Sequence, residues 1–210
     1  MSKQHHLLGC LGCGSAIVEA MLALAKIPYT YEEVDYGEGS PTRPRLLDVN
    51  PLGQVPSLVL PDGSVMTESA AIAFYINDLK PKVGLMPAAD DPSRATFLRW
   101  QIFLVAAVYP TFTYGDDTAR WVGSEDAAGK ALRASTDEHR KTTMQWLEAA
   151  AQGPWFLGEQ FSSLDLYFAM MTRWRPGKKW YEKHCPKLVA IADKAEGLPG
   201  VAEVVKRNFA

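Results

Sequence analysis

Residues 50–76 read NPLGQVPSLVLPDGSVMTESAAIAFYI, and the punctuation of this stretch decides the fold. Ser57 to Leu60 and Ser64 to Thr67 are short runs joined by Pro61-Asp62-Gly63, a hairpin signal. Behind them Ile72, Ile76 and Leu79 recur at helical spacing, so Ser69 to about Leu79 reads as a helix with Ser69 as its N-cap. Pro56 stands just before the first of the two strands. Two conformations suit it there. A trans proline can open an edge strand. A cis Val55-Pro56 bond instead leaves the Val55 backbone able to pair with an extended peptide, as a strand addition.

Working toward the N-terminus, Arg43 to Val49 is a short helix and Tyr29 to Asp35 a strand. Ile17, Ala20, Met21, Leu24 and Ala25 mark an amphipathic helix from Ser15 to Lys26, ended by Pro28. His6 to Cys10 is a short apolar run ending in glycines, a buried strand. The order β-α-β-α-β-β-α predicts an α/β domain with a mixed sheet, because the βα beginning implies parallel strands and the hairpin an antiparallel pair. Working toward the C-terminus, residues 81–91 hold prolines, glycine and scattered charge and read as a linker. Everything after it is helical. Phe97, Trp100, Phe103, Leu104, Ala107 and Val108 share one helix face, and Pro110 is expected to end or kink that helix. A second long helical region covers Gly123 to Ala151, stopped by Gly153-Pro154. Leu164 to Trp174 and Leu188 to Ala195 follow. The expected division is therefore 1–80, an α/β domain; 81–91, a linker; and 92–210, an all-α domain.

Composition limits the function. The chain has 210 residues, 47% hydrophobic and 22% charged, enough for one large or two small packed cores. A net charge of -2 provides no overall field for nucleic acid or anionic lipid. No apolar run is long enough to span a membrane, and MSKQHHLLGC lacks the long apolar stretch of a secretory signal. Cys10, Cys13 and Cys185 are too few, and odd in number, for a disulfide framework, so a cytoplasmic location is expected. His5 and His6 read as solvated residues rather than metal ligands, and no metal is expected.

Three stretches carry chemistry. Gly9-Cys10-Leu11-Gly12-Cys13-Gly14-Ser15 joins the first strand to the first helix, where the helix N-terminus favours a thiolate, either of a cysteine or of a bound thiol. A glycine-rich turn also simply requires small residues, and Cys10 can serve there as a small apolar one. Cys10-Leu11-Gly12-Cys13 is a C-x-x-C, a redox-pair pattern. Ser15 is the loop's hydroxyl and the natural cap of the first helix. In Thr67-Glu68-Ser69, a helix N-terminus offers N–H groups to a carboxylate while Glu68 can take an ammonium. Together those suit a free amino-acid head group; plain capping is the simpler account.

NPLGQVPSL, a hairpin and TESAAIAFYI, in this order and spacing, resemble the glutathione S-transferase family over about 27 positions. Gly158-Glu159-Gln160-Phe161-Ser162-Ser163-Leu164-Asp165 is similar to the family's structural capping box, and Arg94 to Phe103 resembles the first helix of its second domain. The resemblance implies a thioredoxin-like first domain and a helical second one. It implies conjugation of glutathione, as co-substrate, to a small apolar electrophile, in a homodimer. Glu68 and Ser69 would hold the γ-glutamyl head group, Val55 would pair with the cysteinyl unit beside a cis Pro56, and Gln54 would lie near the glycyl end. The sulfur-activating residue departs from the better-known patterns; Cys13, Cys10 and Ser15 are the candidates, in that order. Trp100, Phe103, Tyr109 and Tyr114 would line the second-substrate pocket. The alternatives are a glutathione-dependent thiol-disulfide oxidoreductase using Cys13 or Cys10, and a non-catalytic binding or scaffold protein on the same fold.

Overall fold

A computed structural model describes residues 4–210; Met1, Ser2 and Lys3, part of the stretch read as lacking a signal, lie outside the described residues. The chain divides into two compact units. One runs to Met86 and also includes Asp193–Ala210; the other is Pro87–Ala192.

The first unit contains β1 (His5–Gly9), α1 (Ser15–Leu24), β2 (Tyr29–Glu33), α2 (Arg43–Val49), β3 (Ser57–Val59), β4 (Val65–Met66) and α3 (Ser69–Leu79). This is the expected β-α-β-α-β-β-α order. The sheet is mixed, in the order β2-β1-β3-β4. β1 runs parallel to β2, with Gly9 opposite Glu33. β3 runs antiparallel to β1, with Ser57 opposite Leu8, and β4 antiparallel to β3, with Met66 opposite Leu58. β1 is central, and Leu7 and Leu8 are fully buried on its two faces. Leu8 packs with Val34 and Leu46, and Val49, Val55 and Val59 close around them.

The spacing of Ile17, Ala20, Met21, Leu24 and Ala25 predicts one apolar face for α1. The structure buries every residue from Ser15 to Leu22, Val18 and Leu22 included. A helix covered all round has a partner on each side. One of these is α11 (Val201–Phe209), which the sequence reading missed and which packs on α1. Their approach is close: a Cβ on Gly200, at φ +81, would stand 3.2 Å from the Ala23 carbonyl oxygen. The stretch 92–210 is thus not one body, since its last residues complete the first unit.

In the second unit, α4 (Arg94–Phe103) does not stop at Pro110 but passes through one widened π turn, Leu104–Val108, into α5 (Tyr109–Asp116). The Tyr109 N–H reaches back to the Leu104 carbonyl, and this wider register accommodates the proline ring, which would clash in a regular α turn. There follow α6 (Thr118–Val122), α7 (Ala127–Ala150), α8 (Ser163–Met171), α9 (Lys178–His184) and α10 (Pro186–Glu196), within which the division between the units falls. α8 is buried along its whole length. Its start carries the expected capping box: the Asp165 N–H donates to the Ser162 side chain and the Ser162 N–H to Asp165 Oδ2 at 2.7 Å, while the Phe156 N–H of the preceding loop donates to Oδ1 at 2.8 Å. Burial pushes the Asp165 carboxyl up to about 6 against the pull of those two N–H groups. Among the described residues no helix is long and apolar enough to cross a membrane.

Candidate functional site

The register of the sheet gathers three stretches at one end. The thiol loop follows the last residue of β1; Val55-Pro56 precedes Ser57, which pairs with Leu8 near that same end. Thr67-Glu68 follows Met66, which pairs with Leu58 beside it. The three stretches singled out in the sequence therefore lie at the C-terminal ends of β1 and β4 and the start of β3.

In the thiol loop the Cys13 N–H donates to the Cys10 carbonyl at 3.2 Å, and Gly12, third in this four-residue turn, has φ +71. That is the type II arrangement, which calls for glycine at the third position. Ser15 does not cap α1. The cap position belongs to Gly14, without a side-chain cap bond. The Ser15 hydroxyl is fully buried and ties the loop to itself, donating to the Cys10 carbonyl at 2.9 Å and accepting the Cys10 N–H at 3.0 Å. Close packing of the preceding glycine enforces this, since a Cβ on Gly9 would lie 2.8 Å from both the Ser15 side chain and the Tyr31 ring. The Cys13 thiol donates to the Tyr36 hydroxyl at 3.6 Å. The Cys10 thiol has the Leu11 carbonyl at 3.8 Å. Its hydrogen bond to Cys13, and then its burial, push the Cys10 thiol well above the ordinary cysteine range. No disulfide joins the cysteines of the described residues.

The Val55-Pro56 bond is cis. Asn50 braces the chain around it, its amide donating to the Gln54 carbonyl at 3.0 Å and to Ser57 Oγ at 3.2 Å. Ser57 Oγ donates to the same carbonyl at 2.9 Å. At the third stretch the cap position of α3 is Glu68, not Ser69, which is the first helical residue. Glu68 has φ 63, a region costly for a residue with a Cβ. Strain of this kind persists where the surroundings hold it, commonly at binding turns.

The reading of His5 as solvated is corrected. His5 is buried and its Nε2 lies 3.0 Å from the Tyr75 hydroxyl, while His6 Nε2 lies 2.6 Å from Glu32. In the second unit the four aromatics assigned to one pocket fall in three places. Trp100 and Phe103 pack edge to face, 5.7 Å between ring centres, against Trp146. Tyr109 packs with Phe112 and Trp174. Tyr114 meets Trp121, and of the four it is the one on the wall of a cavity of about 320 Å³ with Pro110, Thr111, Thr136 and His139. Helical spacing alone does not separate a core face from a pocket face.

Two residues at the thiol loop were missed. Tyr36 lies in a loop without periodicity, and nothing in the sequence marks it. Asn208 lies in α11; its Oδ1 accepts the Gly12 N–H at 3.2 Å. Val18 and Leu22, apolar residues outside the face marked by Ile17, Met21 and Leu24, were the available signal that α1 is covered on more than one side.

A family model described as "Glutathione S-transferase, N-terminal domain" matches residues 15–79. The chain is 39% identical over 202 residues to an uncharacterized GST-like protein, YncG, of Escherichia coli (strain K12), covering 95% of this chain and 96% of the relative. It is 30% identical over 160 residues to the glutathione S-transferase GstA of Escherichia coli O157:H7, covering 75% of each. Among solved structures, a glutathione transferase homolog from Sulfitobacter with bound glutathione superposes with a TM-score of 0.88 at 26% identity, over 99% of this chain and 100% of that one. Sequence likeness along nearly the whole length and the shared architecture agree: the chain belongs to the glutathione S-transferase family.

Proposed function

We propose that this protein is a glutathione transferase that joins the glutathione sulfur to a small apolar electrophile. The observation that carries the reading is Glu68 held at φ 63 at the start of α3, at the same sheet end as the thiol loop. A carboxylate beside a helix N-terminus recognises ammonium and carboxylate together, the two charges of a free γ-glutamyl end. In this reading Glu68 takes the ammonium and the α3 start at Ser69 the carboxylate. The Val55 backbone pairs with the cysteinyl unit, and Gln54 meets the glycyl end. The glutathione thiolate then lies at the thiol loop, where the α1 start and the Tyr36 hydroxyl lower the energy of the negative sulfur. The enzyme contributes chiefly thiol deprotonation and placement. The chain works as a cytoplasmic homodimer, and Tyr114 is the aromatic most suited to the electrophile side.

A second reading, thiol-disulfide exchange, is favoured by the C-x-x-C pair itself, Cys10 and Cys13 standing at the two ends of one turn that the Cys13 N–H closes onto the Cys10 carbonyl at 3.2 Å. There the Cys13 thiolate attacks the glutathionyl sulfur of a mixed disulfide and releases the other thiol. A second glutathione thiolate then attacks the Cys13-bound sulfur, restoring Cys13 and leaving glutathione disulfide.

Calorimetry with glutathione on the reduced protein tests the site. Saturable one-site binding is expected, and none up to several millimolar overturns both readings. Conjugation of a chlorodinitrobenzene that survives Cys13→Ser supports the transferase. Activity confined to a mixed disulfide and abolished by Cys13→Ser supports exchange instead.

A further inference from the structure

The side-chain amide of Asn208 joins the C-terminal helix to the loop. Asn208 Oδ1 accepts the Gly12 N–H at 3.2 Å, while Nδ2 donates to Glu19 Oε2 at 3.1 Å and to the Val204 carbonyl at 2.9 Å. Glu19 is fully buried in α1; its Oε1 accepts the Tyr29 hydroxyl at 3.0 Å, and Arg207 forms an ion pair with it. These partners fix which way the amide faces, because the carboxylate requires the NH₂ side and the backbone N–H requires the oxygen.

The consequence lies in the turn. A type II turn differs from a type I turn by a flip of its central peptide, here Leu11–Gly12. Glycine tolerates φ of either sign, so the residue itself does not decide between them. The acceptor for the Gly12 N–H decides. With that N–H turned to Asn208, the carbonyl of the same peptide faces the other way, 3.8 Å from the Cys10 sulfur, as an acceptor for its S–H. The flipped turn would remove this carbonyl from the thiol and bring an N–H toward it, which favours a thiolate.

We propose that Asn208, held by Glu19, is a positioning residue that fixes the Leu11–Gly12 peptide so that Cys10 stays a thiol and Cys13 alone is the reactive sulfur of the loop. The role rests on the reading above that this loop is the reactive end of the site. Its test does not need glutathione, so failure of that reading and failure of this one are separable.

The test is brief alkylation of the intact, reduced protein by iodoacetamide at neutral pH, with the label located by fragment ions in peptide mass spectrometry. Cys185 is fully buried and reports unfolding in the same sample. In the parent, label is expected on Cys13. In Asn208→Ala the Cys10-to-Cys13 ratio is expected to rise about tenfold, the effect of one pKa unit, with Cys185 still protected. Asn208→Asp keeps the acceptor but sets a carboxylate against Glu19, and the ratio should rise there too. Adding Glu19→Gln to it restores a donor between the two side chains, and the ratio should fall back toward the parent. An unchanged ratio in Asn208→Ala with Cys185 protected overturns the proposal. If that variant labels Cys185, Asn208→Asp is compared with the double exchange. Rise and reversal there support the proposal, and equal ratios overturn it.

Discussion

Helices α1 and α3 of the first unit begin without a side-chain cap, whereas in the second α7 is closed at its start by Asp126 and α8 by the Ser162–Asp165 box. Asp126 accepts the Ala128 N–H at 3.0 Å, and Asp165 takes two N–H groups. A capped start has spent its positive end on its own chain, and its worth is stability. An uncapped start keeps that end for other oxygens, and a price in backbone strain can accompany it, as Glu68 at φ 63 shows. The same local element thus serves opposite ends, anchoring at α7 and α8 and presentation at α1 and α3.

The comparison breaks most visibly at Asp165. Asp165→Ala leaves two buried N–H groups without their acceptor and is expected to destabilise the protein by about 3 kcal/mol, read from denaturant midpoints. Because burial raises this carboxyl to about 6, its favourable contribution is full below the ordinary carboxylate range and is lost as pH rises through about 6. The gap between parent and variant should therefore be wider at acid pH than at neutral pH. If the gap widens toward neutral pH instead, burial does not dominate at this carboxyl.

Glu68 should behave in the opposite manner. Glu68→Ala is expected to weaken glutathione binding by about 2 kcal/mol, roughly thirtyfold by calorimetry, as expected for losing a charged hydrogen bond. Glu68→Gly should bind as poorly but unfold about 1 kcal/mol later, because glycine adopts positive φ without strain. A glycine variant less stable than the parent would mean that the turn is not strained. The smallest effect is expected at Gly12. A Cβ there has room, its nearest neighbour being the Asn208 carbonyl oxygen at 3.5 Å, so Gly12→Ala should destabilise by only about 1 kcal/mol, through its positive φ. A much larger loss would show that the turn cannot shift at all.

The stretch from β1 to α3 was legible in the sequence because its signals are local. Pro61-Asp62-Gly63 and the spacing of Ile72, Ile76 and Leu79 each act within a few residues of the structure they specify. Ser162 and Asp165 lie three apart, and their capping box was equally readable. The cap positions of α1 and α3 were misread by one residue, because serine at a helix start looks the same whether it caps or, like Ser15, ties a neighbouring loop. Asn208 stands 196 residues from Gly12, and no local pattern expresses such a pairing. The aromatic residues of α4 and α5 are a related case. Periodicity tells which side of a helix is apolar, but whether that side meets protein or substrate depends on what packs there.

The return of residues 193–210 to the first unit has a consequence for how the protein is made. A ribosome delivers β1 through α3 long before it delivers α11. Until then the side of α1 that carries Glu19 and Ala23 lacks the helix that packs there, and the nascent α1 is uncovered on that side. The first unit therefore cannot mature in order of synthesis. It waits for the whole of the second to emerge, and during that wait its own most hydrophobic helix is the segment a chaperone would find.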